Sequence, residues 1–354
     1  MLLPTLLFLG IWLSSACAKD CANLTPHSRT RAPRRALVVD STGLMGDSFP
    51  TISKAVDALS KDTVGEQIIF VHPGVYKEQV YIPPLLGPLT IQGYTCDRRY
   101  HALNQVALTN NTSRRSPNIT DNDQTGTLRV WSTRVKLYNL NITNDYGPAF
   151  LKGQAVALSA QATDLGVYAC SLKGWEDTVY ANVGRQVYSH TYINGAVDFI
   201  IGIKGVAWFQ NCQIVSVGDG HIASNGRNSV DNPSWFVFHQ CYISGTRNAS
   251  TYLGRPWGEY SRVVYQYCRL GNVVHPKGWT SRGFRQSTDN LYFGEFDNKG
   301  EGAFRQWAEN PRGVSKRARF TVEMDIGLRL ISLFGRYYRQ EESWIDLTFI
   351  PDSA

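Results

Sequence analysis

One short pattern recurs six times between Leu137 and Leu270: an apolar residue, two others, a small or apolar residue, one other, then Ile or Leu. The copies read Leu137/Leu140/Ile142, Val167/Cys170/Leu172, Tyr188/Thr191/Ile193, Phe209/Cys212/Ile214, Phe238/Cys241/Ile243 and Tyr265/Cys268/Leu270. Their spacing of roughly 20 to 30 residues is the range of repeat architectures. Each copy is short, rich in Val, Tyr, Phe and Ile, and bounded by Gly, Asn, Asp and Ser, which predicts strands rather than helices. A unit holding two or three short strands cannot bury its apolar face alone, whereas like units stacked in parallel share one interior. The expectation is an all-β chain wound as a parallel β-helix.

Such winding brings distant residues together. Asp177 and Asp198 each stand seven residues after the middle position of a copy, Cys170 and Thr191. Equivalent residues of successive coils lie about 4.7–4.9 Å apart, so the two carboxyls are expected to be neighbours. Asp219 falls at the next position by the same count. Two such carboxyls cannot easily both ionise, and a cation beside one drives their pKa values apart. Against this stands the commoner role of an Asp after a strand, capping a turn.

The chain opens with an uncharged stretch, Met1 to Ala18, with an apolar run from Leu6 to Leu13 and a small-residue end. It reads as a signal peptide cleaved before Lys19, which leaves 19–354 as one domain. It is too short for a membrane span, which needs about 20 apolar residues. Sequons at Asn23, Asn110, Asn111, Asn118, Asn141 and Asn248 fit a secreted glycoprotein. Beyond the leader remain Cys21, Cys96, Cys170, Cys212, Cys241 and Cys268. An even number in a secreted chain invites disulfides. Four of them share one repeat position, however, where small apolar side chains would fill an inward stack, and a buried thiol ladder is the favoured reading. Cys21 and Cys96 lie outside that ladder and are the better candidates for a bridge.

The formal net charge of +7 is compatible with an anionic partner, although part of it sits in local runs, Arg29 to Arg35 and Lys316 to Arg319, of the kind more often found as solvated surface. Without a nucleic-acid motif, an acidic polysaccharide suits a secreted chain better than DNA. Ile52, Ala55, Val56 and Leu59 share one helical face within Phe49–Leu59, predicting a short helix that closes the open end of the stack. Strands are expected from Ile68, with helices and loops over the flank after about Tyr292, notably from Phe320 to Tyr338. Tyr100 to Gly126 reads as an insertion or long loop. No His, Cys or carboxylate cluster has metal-ligand spacing, and neither a phosphate-binding glycine loop nor a serine elbow is present.

Five motifs occur in order: Gly74-Val75-Tyr76-Lys77-Glu78, Gln154 to Leu158 (QAVAL), Gly174 to Tyr180 (GWEDTVY), Val197 to Gly202 (VDFIIG) and Leu253 to Trp257 (LGRPW), followed by Glu259-Tyr260-Ser261-Arg262 and Gly278-Trp279. Together they resemble the pectin methylesterases (pectinesterases), secreted carbohydrate esterases built on a right-handed, single-stranded parallel β-helix. The resemblance implies hydrolysis of galacturonate methyl esters in pectin, releasing methanol, outside the cell and in the wall of plant material. It makes Asp198 the nucleophile, Asp177 the proton donor and later base, Arg255 the partner that keeps Asp198 ionised, and Gln154 the oxyanion donor. Tyr180, Trp257 and Trp279 match aromatic positions that stack on sugar rings. No cofactor is implied, and a monomer is expected because a capped β-helix buries its own edges.

Two departures stand out. The family's second glutamine is Glu176 here, and a family aromatic in the nucleophile motif is Ile201. An ionised Glu176 would repel an oxyanion, so it is expected to be protonated at work, favouring activity on the acidic side. Gly74 and Glu78 read as structural, a turn and a buried pairing. His221 reads as a loop histidine; it superficially resembles that of polygalacturonases, but the rest of their motif is missing. The alternatives are a polygalacturonase- or pectate-lyase-like β-helix enzyme, and a non-catalytic pectin-binding homologue weakened by Glu176.

Overall fold

The computed structural model describes residues 21, 26–147, 153–304, 317–336, 338 and 344–350. The proposed leader lies outside these residues. Among the described residues, three parallel sheets of 11, 7 and 8 strands extend from Leu37 to Glu323, each strand pairing with its equivalent one coil away. The chain is a right-handed parallel β-helix, the hand that parallel crossovers impose. Within one coil, Leu165–Tyr168 lies in the 11-stranded sheet, Ser171–Lys173 in the eight-stranded and Val179–Ala181 in the seven-stranded sheet.

The repeat is the bend between the first two of these strands. Asn139, Ala169, His190, Asn211, Gln240 and Tyr267, each just before a repeat's middle position, all have a positive φ, between 47° and 56°. One left-handed residue per coil turns the chain sharply from sheet to sheet.

Inside, equivalent side chains stack. Tyr188, Phe209, Phe238 and Tyr265 form a column with centroids 4.7, 4.6 and 4.3 Å apart and nearly parallel planes. Cys170, Cys212, Cys241 and Cys268 are free and buried, as the ladder reading expects. Burial pushes the Cys170 thiol up to about 12, so it behaves as a small apolar residue. Cys21 and Cys96 are joined in a disulfide.

The capping helix spans Ile52–Asp57, with Thr51 as N-cap accepting from the Lys54 amide. Its buried face, Ile52, Ala55 and Val56, belongs to the main core. Glu78 accepts from the amides of Ile52 and Ser53 at 2.8 and 3.0 Å. Its role is structural, satisfying helix-terminal donors. Gly74 begins the strand Gly74–Lys77 rather than forming a turn.

Three sequence expectations are corrected. Coil structure begins before Ile68, because Leu37–Val39 pairs with Ile69–Val71. The stretch from Tyr100 to Gly126 is not all insertion: Val106–Asn110 is a coil strand between Gly74–Lys77 and Asn141–Asn144, with Val106 and Leu108 facing the core. Within Phe320 to Tyr338, Thr321–Glu323 is still a strand of the 11-stranded sheet. Tyr292–Phe296 is likewise a strand of that sheet, paired with Arg262–Gln266, so the coils continue past Tyr292. The helix Leu330–Phe334 and residues 344–350 cover the outer face of the sheet, packing on Tyr138, Tyr168 and Trp208. Tyr168 is tied in there, its hydroxyl donating to the Trp344 carbonyl and accepting from the Asp346 amide.

Candidate active site

Asp177 and Asp198 precede the strands Val179–Ala181 and Ile200–Gly202, which pair with Val179 opposite Ile200. Counting back two residues sets one aspartate over the other, one coil apart. Both backbones are left-handed, with φ of 62° and 45°, a conformation that Asp tolerates better than most residues. Both carboxyls line one cleft of about 660 Å³ with Gln154, Glu176, Arg255 and Trp257. Six of the residues proposed from sequence therefore meet in one place.

The two aspartates have opposite surroundings. Asp177 is 6% exposed. Burial first, then the charges of Asp198 and Glu176, push its carboxyl well above the usual range. Its Oδ2 accepts from Asn122 Nδ2 at 2.7 Å. Burial acts in the same direction on Asp198, but polar contacts with His221 and Arg255 and the Arg255 charge outweigh it and hold the carboxyl below its ordinary value. Arg255 Nε lies 2.9 and 3.1 Å from the two Asp198 oxygens, and Nη2 donates to Oδ2. This bidentate pairing raises the guanidinium in turn. Arg255 reaches Asp198 because Ile201, Ser224 and Arg255 are neighbours in one outward column of the seven-stranded sheet.

Glu176 is half-buried and lines the same cleft. Burial, then the Asp198 charge, raises its carboxyl.

The aromatic positions divide. Trp257 is half-exposed on the cleft wall. Tyr180 stands beside the cleft in the outward column between Ser159 and Ile201. Trp279 does not belong to the groove. Its side chain is fully buried, stacked on Phe293 at 4.7 Å, with Nε1 donating to Glu295. It pairs with Gly254 in the inward column of Val179, Ile200 and Ala223, where the missing side chain of Gly254 leaves room for the ring.

Asp219 is also misplaced by the sequence count. Ile200 pairs with Ala223, so the turn after Ser216 is two residues longer than the equivalent one before, and His221 takes the position next to Asp198. Asp219 is exposed and paired with Arg247. His221, expected in a loop, lies instead in the strand Gly220–Asn225 beside Asp198, and it and Asn122 are the neighbours of the carboxyls that sequence reading missed. The first is hidden by the longer turn, and the second lies far away in a loop without a motif.

Among the described residues, no group of three or more His, Cys, Asp or Glu is arranged to hold a metal ion. No described helix is long and apolar enough to cross a membrane.

The model of the Pectinesterase family matches residues 37–323. The chain belongs to the pectinesterase family. A probable pectinesterase A of Neosartorya fischeri is 38% identical over 348 residues, covering 97% of each chain. A pectinesterase of Aspergillus niger is 38% identical over 332 residues, covering 91% of this chain and 94% of its own. Among solved structures, the A. niger pectin methylesterase superposes with a TM-score of 0.79 at 33% identity, covering 91% of this chain and 100% of that one. These pectinesterase relatives mark the chain as a carbohydrate ester hydrolase. The cleft with its two aspartates lies inside the matched span.

Proposed function

We propose that this pectinesterase removes methyl groups from galacturonate units by acyl transfer through Asp198. The observation that carries the reading is the contrast in surroundings of two carboxyls one coil apart: Asp198 is gripped by the Arg255 guanidinium, which favours its ionised form, whereas Asp177 is buried, which favours its proton, and accepts from the uncharged Asn122 amide. An ionised oxygen of Asp198 attacks the ester carbonyl carbon, and negative charge develops on the carbonyl oxygen. Gln154 is the donor we assign to that charge. When the C–O bond to the methoxy group breaks, the Asp177 proton goes to the leaving oxygen, and methanol departs from an anhydride between Asp198 and the sugar. Asp177, now a carboxylate, takes a proton from water. The resulting hydroxide attacks the anhydride, which frees Asp198 and leaves a galacturonate carboxyl.

Protonated Glu176 would tolerate, and donate to, the same oxyanion, which supports an acid-favouring enzyme. Trp257 offers an open ring face for a sugar, and the positive net charge suits a polymer that becomes more anionic as it is de-esterified. We assign residues 1–18 to a signal peptide, the mature chain to the extracellular space, and pectin in plant cell walls as the substrate, acted on by a monomer without a cofactor.

The test is methanol release from highly methylated pectin, with polymer length followed in parallel and Asp198→Ala as the reference. Methanol without shortening, abolished by the substitution, is the expected result. Chain cleavage would point to a hydrolase or lyase. Binding without either product would indicate a groove weakened by Glu176.

A further inference from the structure

We infer that His221 is a positioning residue for the nucleophile, fixing the Asp198 carboxylate from the side opposite the catalytic proton donor. The inference rests on the proposed role of Asp198. Three observations lead to it.

His221 occupies the coil after Asp198 in the column that begins with Asp177, so the nucleophile is flanked by the acid on one side and an imidazole on the other. Nδ1 of His221 lies 3.3 Å from Oδ1 of Asp198. That nitrogen is buried and makes no aligned hydrogen bond to any group, so its nearest polar neighbour is the Asp198 carboxylate, in contact but not in ideal hydrogen-bond geometry. The imidazole plane is itself held. Tyr252, its partner in the next coil, stacks on it at 5.7 Å and 24°, and His275 stacks on Tyr252 at 4.4 Å and 25°.

The physical need is clear from the Arg255 contact. Nη2 grips Oδ2 and Nε approaches both oxygens, so the guanidinium neutralises the carboxylate from one edge. That grip bears mainly on Oδ2, which takes two of the three contacts, and leaves Oδ1 the less tightly held oxygen. A polar atom beside Oδ1, on a ring clamped by stacking, limits its motion and keeps that oxygen aimed. Small errors of aim at the reacting atom are costly in rate. The contact acts on attack geometry rather than on sugar binding, so it belongs in kcat and not in KM.

The experiment measures kcat and KM for methanol release by the wild type, His221→Phe, His221→Leu and His221→Asn, with Asp198→Ala as reference and thermal unfolding of each. Phe keeps the ring stack without the nitrogen. Asn sets a side-chain nitrogen close to where Nδ1 stands. The expected result is a fall in kcat of about 10- to 100-fold for H221F or H221L with KM unchanged, and recovery of most of it in H221N. Either apolar variant suffices if the other fails to fold. The inference is overturned if a folded apolar variant keeps the wild-type kcat, if KM rises in place of the loss in kcat, or if H221N is as slow as H221F. Wild-type turnover abolished by Asp198→Ala but untouched in H221F would sink this inference alone. Absence of methanol release by the wild type would sink the reading of Asp198 and this inference with it.

Discussion

Asp177 lowers stability for the sake of its proton. Its folded pKa is raised, so at pH values above the unfolded value of about 3.9 the native state must either keep a proton that the unfolded chain has released or bury a charge. Asp177→Asn should therefore be inactive yet more stable at neutral pH, by about 1 kcal/mol. The gain should vanish below about pH 4; unfolding midpoints at the two pH values check it. Asp198 has the opposite sign. Its depressed carboxyl adds stability above the unfolded value, lost as pH falls through the folded one. Arg255→Leu removes the partner, so the acid limb of kcat/KM should move to higher pH and kcat should drop. An unmoved limb would mean that Arg255 does not set the charge of Asp198. Glu176 is tested the same way. Its carboxyl is raised, so activity that needs it protonated declines as pH rises through that value. Glu176→Gln should remove the decline that Glu176 itself causes, leave the acid limb alone and hand the alkaline limb to Asp177, whose carboxyl falls somewhat once the Glu176 charge is gone; coincident pH–rate profiles would refute a working role for its proton.

At the scale of elements, stacked columns bind the coils to one another. Phe209 sits between Tyr188 and Phe238 with no exposed surface. Phe209→Ala should cost about 3–5 kcal/mol in denaturant unfolding, by lost burial and the cavity left behind. The columns also explain what was readable in the sequence. Six copies of one bend announce themselves because each must supply an inward apolar residue and a left-handed turn, so the thiol ladder, the β-helix and the stacking of Asp177 on Asp198 all follow. Reading failed where the count between copies changes. Val106–Asn110 sits beyond the regular copies, and its alternating Val106 and Leu108 were lost among polar neighbours. Leu37–Val39 is too short to carry a pattern. His221 was hidden by the longer turn after Ser216, and Trp279 by a motif that named an aromatic without saying which way it faces. Direction is set by the partner strand, and only the pairing of Trp279 with Gly254 decides it.

Over the whole molecule, long-range charge and one covalent link act on the coils together. If the cleft takes an anionic polymer, a net charge of +7 would steer it there through a field that salt screens within about 10 Å at 0.1 M. KM for pectin should rise with ionic strength while kcat changes little; a salt-independent KM would leave recognition to short-range contacts alone. The Cys21–Cys96 bridge ties the chain before the first strand to the early coils across 75 residues. Removing it by Cys96→Ala should cost about 2–4 kcal/mol, mainly by freeing the unfolded chain, as unfolding in denaturant would report. The lengthened turn at residues 217–219 has a wider meaning. The residue that stands beside Asp198 is fixed by the strand that follows it, not by the distance travelled from the strand before. Turn length and side-chain address are thus independent variables in this architecture. Extra residues at the exposed edge around Asp219 should therefore leave the rungs Asp177, Asp198 and His221 in register, which makes that turn the place to look for grafted recognition.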